Sequence, residues 1–201
     1  MSSLKRLYIV NGSGVFSLTL SLRPVVETVT TSCRASGGGV AIGWINTSYG
    51  IRIVVLSSPT MMCIIDPYTH TVDLVDLPNG LARYAYTSIA MNGTHVFMNL
   101  VSITNGTVYL VAYGSKGFEV LGVMPSPKVL GMSYRSSYKD LVFVIEGGPI
   151  YLYKLGKGVS VLVSSIPFYP KNPGDRLCWY SGYTVFVRDD GTLELWVFRT
   201  G

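Results

Sequence analysis

Apolar positions in this chain come in short runs and follow no helical stripe. Segments such as 51–56, 108–112 and 141–145 are rich in Val, Ile, Leu, Tyr and Phe, and Gly, Pro and Asn separate them. That pattern predicts many short strands joined by tight turns. Asn92-Gly93, Asn105-Gly106 and Asp190-Gly191 each lie between two apolar runs. They predict hairpins closed by type I′ turns, in which both central residues take positive φ.

The strands repeat. A turn residue followed by a short apolar strand occurs at Gly14-Val-Phe16-Ser-Leu18, Pro59-Thr-Met61-Met-Cys63, Gly106-Thr-Val108-Tyr-Leu110, Gly148-Pro-Ile150-Tyr-Leu152 and Gly191-Thr-Leu193-Glu-Leu195. Aligned on Phe16, Met61, Val108, Ile150 and Leu193, the steps are 45, 47, 42 and 43 residues. Neighbouring strands keep the same phase. A strand precedes each anchor (7–10, 51–55, 95–98, 141–145, 184–187), and an outer strand follows the first four (25–30, 71–75, 118–123, 159–163). A leading strand opens the last four copies (41–45, 88–91, 130–134, 178–180). The approximate repeats are 4–32, 40–78, 85–124, 129–166 and 176–199, in one domain over 1–201. Each unit is about 45 residues of four antiparallel strands, too short to bury both faces alone, so it must stack on its neighbours.

In blade period and strand count the chain resembles the β-propeller superfamily. The resemblance implies an all-β, five-bladed propeller of four-stranded antiparallel blades. The Gly-His and Trp-Asp signatures of WD40 blades are absent, and no kelch Gly-Gly pair recurs, so no functional family is implied. The first copy lacks a leading strand and the last lacks an outer one. An incomplete ring, or a sandwich-like array of hairpins, is therefore the alternative architecture.

Composition narrows the setting. Hydrophobic residues make up 48% of the 201 and charged residues 13%, with a mean hydropathy of +0.38. No run approaches the roughly 20 apolar residues of a spanning helix, so no transmembrane segment is expected. The N-terminus has too few apolar residues after Lys5-Arg6 for an ordinary signal peptide, so none is expected here, or it has already been removed. The net charge of +5 is diffuse, which does not favour a nucleic-acid partner. Cys33, Cys63 and Cys178 form no CxxC pair, so no zinc site is expected. Cys63 and Cys178 read as small core residues, and one disulfide remains open.

Candidate chemistry is sparse. The leading strands place Trp44, Met91, Tyr134 and Trp179 at one phase. The aromatic members either fill space between sheets, with Trp44 and Trp179 mostly buried, or offer a stacking platform for a ligand. His70 and His95 lie at turns, apart from any nucleophile motif, and the leading strands carry no Asp or Glu. Catalytic residues, metal and cofactor are therefore not expected. Asp66, Asp140 and Glu146 are the carboxylates to test should activity appear. Asn11, Asn46, Asn92 and Asn105 stand in Asn-x-Ser/Thr sequons, which are candidate glycosylation sites or simply turn chemistry. The reading is a non-catalytic binding or structural module, of a virion or cell surface or else cytoplasmic. It would meet a protein partner or itself through loops bearing Tyr68, Tyr84, Tyr86 and Tyr138. A glycan-binding lectin or carbohydrate-active enzyme is the alternative.

Overall fold

The computed structural model describes residues 6–35, 42–146 and 148–163, together with the backbone of three strands between 176 and 197. All regular structure among them is β. The first sheet is β1 (Arg6–Asn11), β2 (Gly14–Thr19) and β3 (Val26–Thr30). The second is β4 (Ile42–Thr47), β5 (Gly50–Leu56), β6 (Met61–Ile65) and β7 (Val72–Asp76). The third holds β8 (Leu81–Ala82), β9 (Ile89–Met91), β10 (Val96–Ser102), β11 (Val108–Gly114) and β12 (Gly117–Val123). The fourth is β13 (Val129–Arg135), β14 (Asp140–Ile145), β15 (Ile150–Lys154) and β16 (Gly158–Val163). The fifth is β17 (Arg176–Tyr180), β18 (Tyr183–Val187) and β19 (Leu193–Val197).

Every ladder is antiparallel, and each sheet is a meander in chain order except the third, where both β8 and β9 pair with β10. The five anchors fall on β2, β6, β11, β15 and β19, and among the described residues the first and last sheets have three strands each. The leading strands follow one another in space: β4 lies against β9, β9 against β13, and β13 against β17. Among the described residues no ladder joins the last sheet to the first.

The core is the set of faces between successive sheets, and alternation along each middle strand builds it. On β5, Ile53 and Val55 pack toward the first sheet, with Val15, Val29 and Cys33. Val54 and Leu56 on the same strand pack toward the third sheet, with Ile89, Val96 and Met98. On the third sheet, Phe97, Leu110 and Ala112 turn the other way, against Val129, Leu141 and Phe143. A strand buried on both faces reads as a continuous apolar run, which is why 53–56 and 141–145 look as they do. The outer strands β7 and β12 carry no fully buried residue, because they stand at the sheet edges.

One local feature departs from expectation, and a second, the cysteine pairing, was left open by the sequence. The Asn-Gly turns are not type I′. Gly93 and Gly106 take positive φ, but among the described residues the only non-glycine ones that do so are His70 and Lys139. Each Asn instead folds its own side chain into the turn. Asn92 Oδ1 accepts from the amides of Thr94 and His95, and Asn105 Oδ1 from that of Thr107. This side-chain turn supplies the hydrogen bonds that a second left-handed residue would otherwise arrange. The third such turn, at Asp190-Gly191, lies outside the described residues. Cys33 and Cys63 form a disulfide, with Cα atoms 6.2 Å apart. It fastens the end of the first sheet to the middle of the second, so Cys63 is both a core residue and a cross-link.

The third sheet is also irregular. Its leading strand is split: β8 pairs with the end of β10 and β9 with its start. Residues 83–88 loop out between them. Asn99, fully buried on β10, holds that excursion. Its Oδ1 accepts from the Ser88 amide at 2.7 Å, and its Nδ2 donates to the Tyr84 hydroxyl and the Tyr86 carbonyl. A polar side chain tolerates such burial only when its donors and acceptors are used.

Candidate functional site

A cleft of about 620 Å³ opens between the first and second sheets. Arg6, Tyr8 and Glu27 line one side and Ile51, Pro67, Tyr68 and His70 the other. The register explains the first wall. Tyr8, Ser17 and Glu27 are cross-strand partners in one row, and Arg6 stands two residues from Tyr8 on the same face. Arg6 Nη1 meets Glu27 Oε2 at 3.1 Å, so the two charges neutralise each other. Burial raises the Tyr8 phenol above its ordinary pKa, with Arg6 opposing, so it stays a hydroxyl at neutral pH. Ser17 Oγ, buried beneath this row, has no hydrogen-bond partner among the described residues.

The second wall is a rigid turn. Asp66 Oδ1 accepts from the Tyr68 and Thr69 amides at 2.8 and 3.1 Å. The His70 amide donates to the Asp66 carbonyl, and His70 adopts φ of 60°. These two backbone hydrogen bonds are the main cause that holds the Asp66 carboxyl below its ordinary pKa. Arg52 Nη2 pairs with Asp66 Oδ2 at 3.1 Å and ties this turn to the one between β4 and β5. The result is a fixed pedestal on which Tyr68, 80% exposed, projects.

A smaller apolar slot of about 220 Å³ is lined by Tyr8, Ile42, Gly43, Trp44, Ile53 and Met91. Here the expectation of a mostly buried Trp44 is corrected: it is 44% exposed. On β4, Gly43 and Ile45 pack into the third sheet. The Trp44 indole lies in the slot with Tyr8 and Met91, its ring edge beside Gly93 in the turn between β9 and β10, and the rest of the ring is open to solvent. Tyr134 is half-buried and stacks on Phe97 with centroids 5.9 Å apart. Trp179 lies on β17, and its side chain is outside the described residues.

The tyrosines read as an interaction set do not gather. Tyr68 lines the large cleft and Tyr138, 57% exposed, sits under the Arg135 guanidinium. Tyr84 and Tyr86 are half-buried in the 83–88 excursion. The Tyr84 hydroxyl donates to the Pro127 carbonyl at 2.6 Å, bridging the third and fourth sheets. Burial drives its pKa well above the ordinary phenol value. Asn11, Asn46 and Asn105 are exposed and Asn92 is half-buried.

Each carboxylate set aside for mutation has a cationic partner. Asp66 holds Arg52, Glu146 holds Lys128, and Asp140 grips Arg135 through two 2.8 Å hydrogen bonds in a buried fork. His95 is half-buried against Gly114, with Nδ1 2.9 Å from Thr94 Oγ1. Among the described residues no group of three or more His, Cys, Asp or Glu is placed to hold a metal ion. No helix there is long and apolar enough to cross a membrane. Sequence reasoning missed the large cleft, because its walls come from residues 6–27 and 51–70 and no local motif joins them.

No protein-family model matches the chain, and neither does any curated protein. Among solved structures it is similar to the Dos1 propeller, with 14% identity and a TM-score of 0.57 over 96% of this chain and 54% of that one. It is similar to an oligogalacturonate lyase in complex with manganese, with 10% identity and a TM-score of 0.55 over 90% of this chain and 58% of that one. BBS1N in complex with ARL6DN gives 13% identity and a TM-score of 0.53, over 97% and 75% of the two chains. This chain thus spans little more than half the length of the first two. At such identities the likeness shows the fold alone, and the five sheets are β-propeller blades.

Proposed function

We propose that this β-propeller chain is a non-catalytic binding module that associates with a second copy of itself through the open face of its first blade. The observation that carries this is a contiguous apolar surface. Leu7, Leu18 and Val26 are cross-strand partners in one row, and Ile9 and Phe16 in the next row on the same face. Leu7, Ile9 and Val26 are 49%, 43% and 65% exposed. Elsewhere the chain covers such faces with another sheet of its own kind, as between its first and second, second and third, and third and fourth blades. A self-complementary pairing of this face across a two-fold axis closes as a dimer. The paired state of Asp66, Asp140 and Glu146 supports the absence of catalysis. The Cys33–Cys63 disulfide supports a place in oxidising surroundings such as a virion or cell surface.

Light scattering on the intact chain tests the reading. A dimer that Ile9→Lys converts to a folded monomer is the expected result. A wild-type monomer whose stability falls with Ile9→Lys would place the last blade of the same chain on that face and overturn it.

A further inference from the structure

The cleft between the first and second blades has the chemistry of a sugar site, and we infer that it binds a neutral saccharide. Its volume, about 620 Å³, lies within the range of small-ligand pockets. Tyr68 offers an exposed aromatic face on a pedestal fixed by Asp66, with Pro67 and Ile51 extending the apolar surface. The apolar C–H face of a sugar ring stacks on such a platform. Opposite it stand groups of both hydrogen-bonding senses: the Arg6 guanidinium, the Glu27 carboxylate and the Tyr8 hydroxyl. Ligand hydroxyls, which donate and accept, match that mixture.

Charge decides the class. Arg6 and Glu27 already satisfy one another at 3.1 Å, so neither is an uncompensated charge that would select a phosphate, a uronate or a cation. A purely apolar ligand would have to desolvate the pair and the Tyr8 hydroxyl without replacing their hydrogen bonds.

The test is saturation-transfer NMR and calorimetry on the intact chain. The probes are N-acetylglucosamine, methyl mannoside, galactose, maltotriose and cellotriose, with inorganic phosphate and galacturonate as anionic counterparts. At least one neutral sugar should bind with millimolar or better affinity. Tyr68→Ala should weaken it about tenfold or more, and Tyr68→Phe should retain most of it, since the ring and not the hydroxyl stacks. Tyr68 is exposed, so both variants should fold, and their oligomeric state should match the wild type. That independence separates this proposal from self-association. Preferential binding of phosphate or galacturonate would overturn it, as would sugar binding indifferent to Tyr68→Ala or no binding by any neutral probe.

Discussion

The Cys33–Cys63 disulfide makes a quantitative claim about the first blade. The two sulfurs close a loop with a sequence separation of 30 residues. Chain-entropy reasoning for a loop of that length gives about 3.6 kcal/mol at 25 °C, mostly through the unfolded state. Both cysteines are fully buried among Val15, Ile53, Val55 and Ile65. Replacing both by Ala therefore removes the cross-link and a little apolar volume while adding no buried polar group. The double variant should lose about 3–4 kcal/mol in a denaturant titration. For a chain of this size that lowers Tm by about 7–14 °C. The denaturant slope should rise, because an uncross-linked unfolded chain exposes more surface. Reductant should move the wild type to the same midpoint and leave the double variant unmoved. Thiol titration in denaturant gives a second readout: Cys178 alone should react before reduction, and all three cysteines after it. Three reactive thiols in the untreated, unfolded protein, or a midpoint indifferent to reductant, would refute the reasoning.

Asn99→Leu leaves the Ser88 amide and the Tyr86 carbonyl without their partner. It should cost about 2–4 kcal/mol by denaturant melt, and a loss under 1 kcal/mol would show that the excursion does not depend on Asn99. Asp66 has a depressed folded pKa, so its contribution is full above the ordinary carboxylate value of 3.8 and is lost as pH falls through the folded value. The stability gap between wild type and Asp66→Asn should therefore hold from neutral pH to about pH 4 and shrink below it; a gap constant down to pH 2 would contradict the assignment. Trp44→Ala should cost about 1–2 kcal/mol, against about 3–5 kcal/mol for a fully buried ring. A larger loss, measured by the same melts, would mean that something covers the indole.

Strand positions, the repeat and the all-β class were legible in the sequence because each is written locally. A middle strand must be apolar on both faces, a turn must carry residues that bend the chain, and stacking repeats these demands about every 45 residues. That the first copy has no leading strand among the described residues was legible too, but how far Trp44 stands open was not. That Trp44 stands open beside Tyr8 and Met91 depends on which sheet β4 faces, which is a matter of neighbours. The split leading strand of the third sheet was hidden for a related reason. Ser88–Met91 has strand character, and only the buried amide of Asn99, eight residues beyond Met91 in the chain, shows why 83–88 leaves the ladder. The type I′ reading of Asn-Gly failed because a dipeptide says that a turn forms but not which atoms close it; the Asn carboxamide took that part. Cysteine pairing and the large cleft lay furthest from view. Cys33 meets Cys63, and Arg6, Tyr8 and Glu27 meet Tyr68 and His70, only once two sheets stack. Sequence by itself determines what each strand can bury. Tertiary structure decides which distant side chains share a wall, because that follows from how successive sheets are laid on one another and from no local preference.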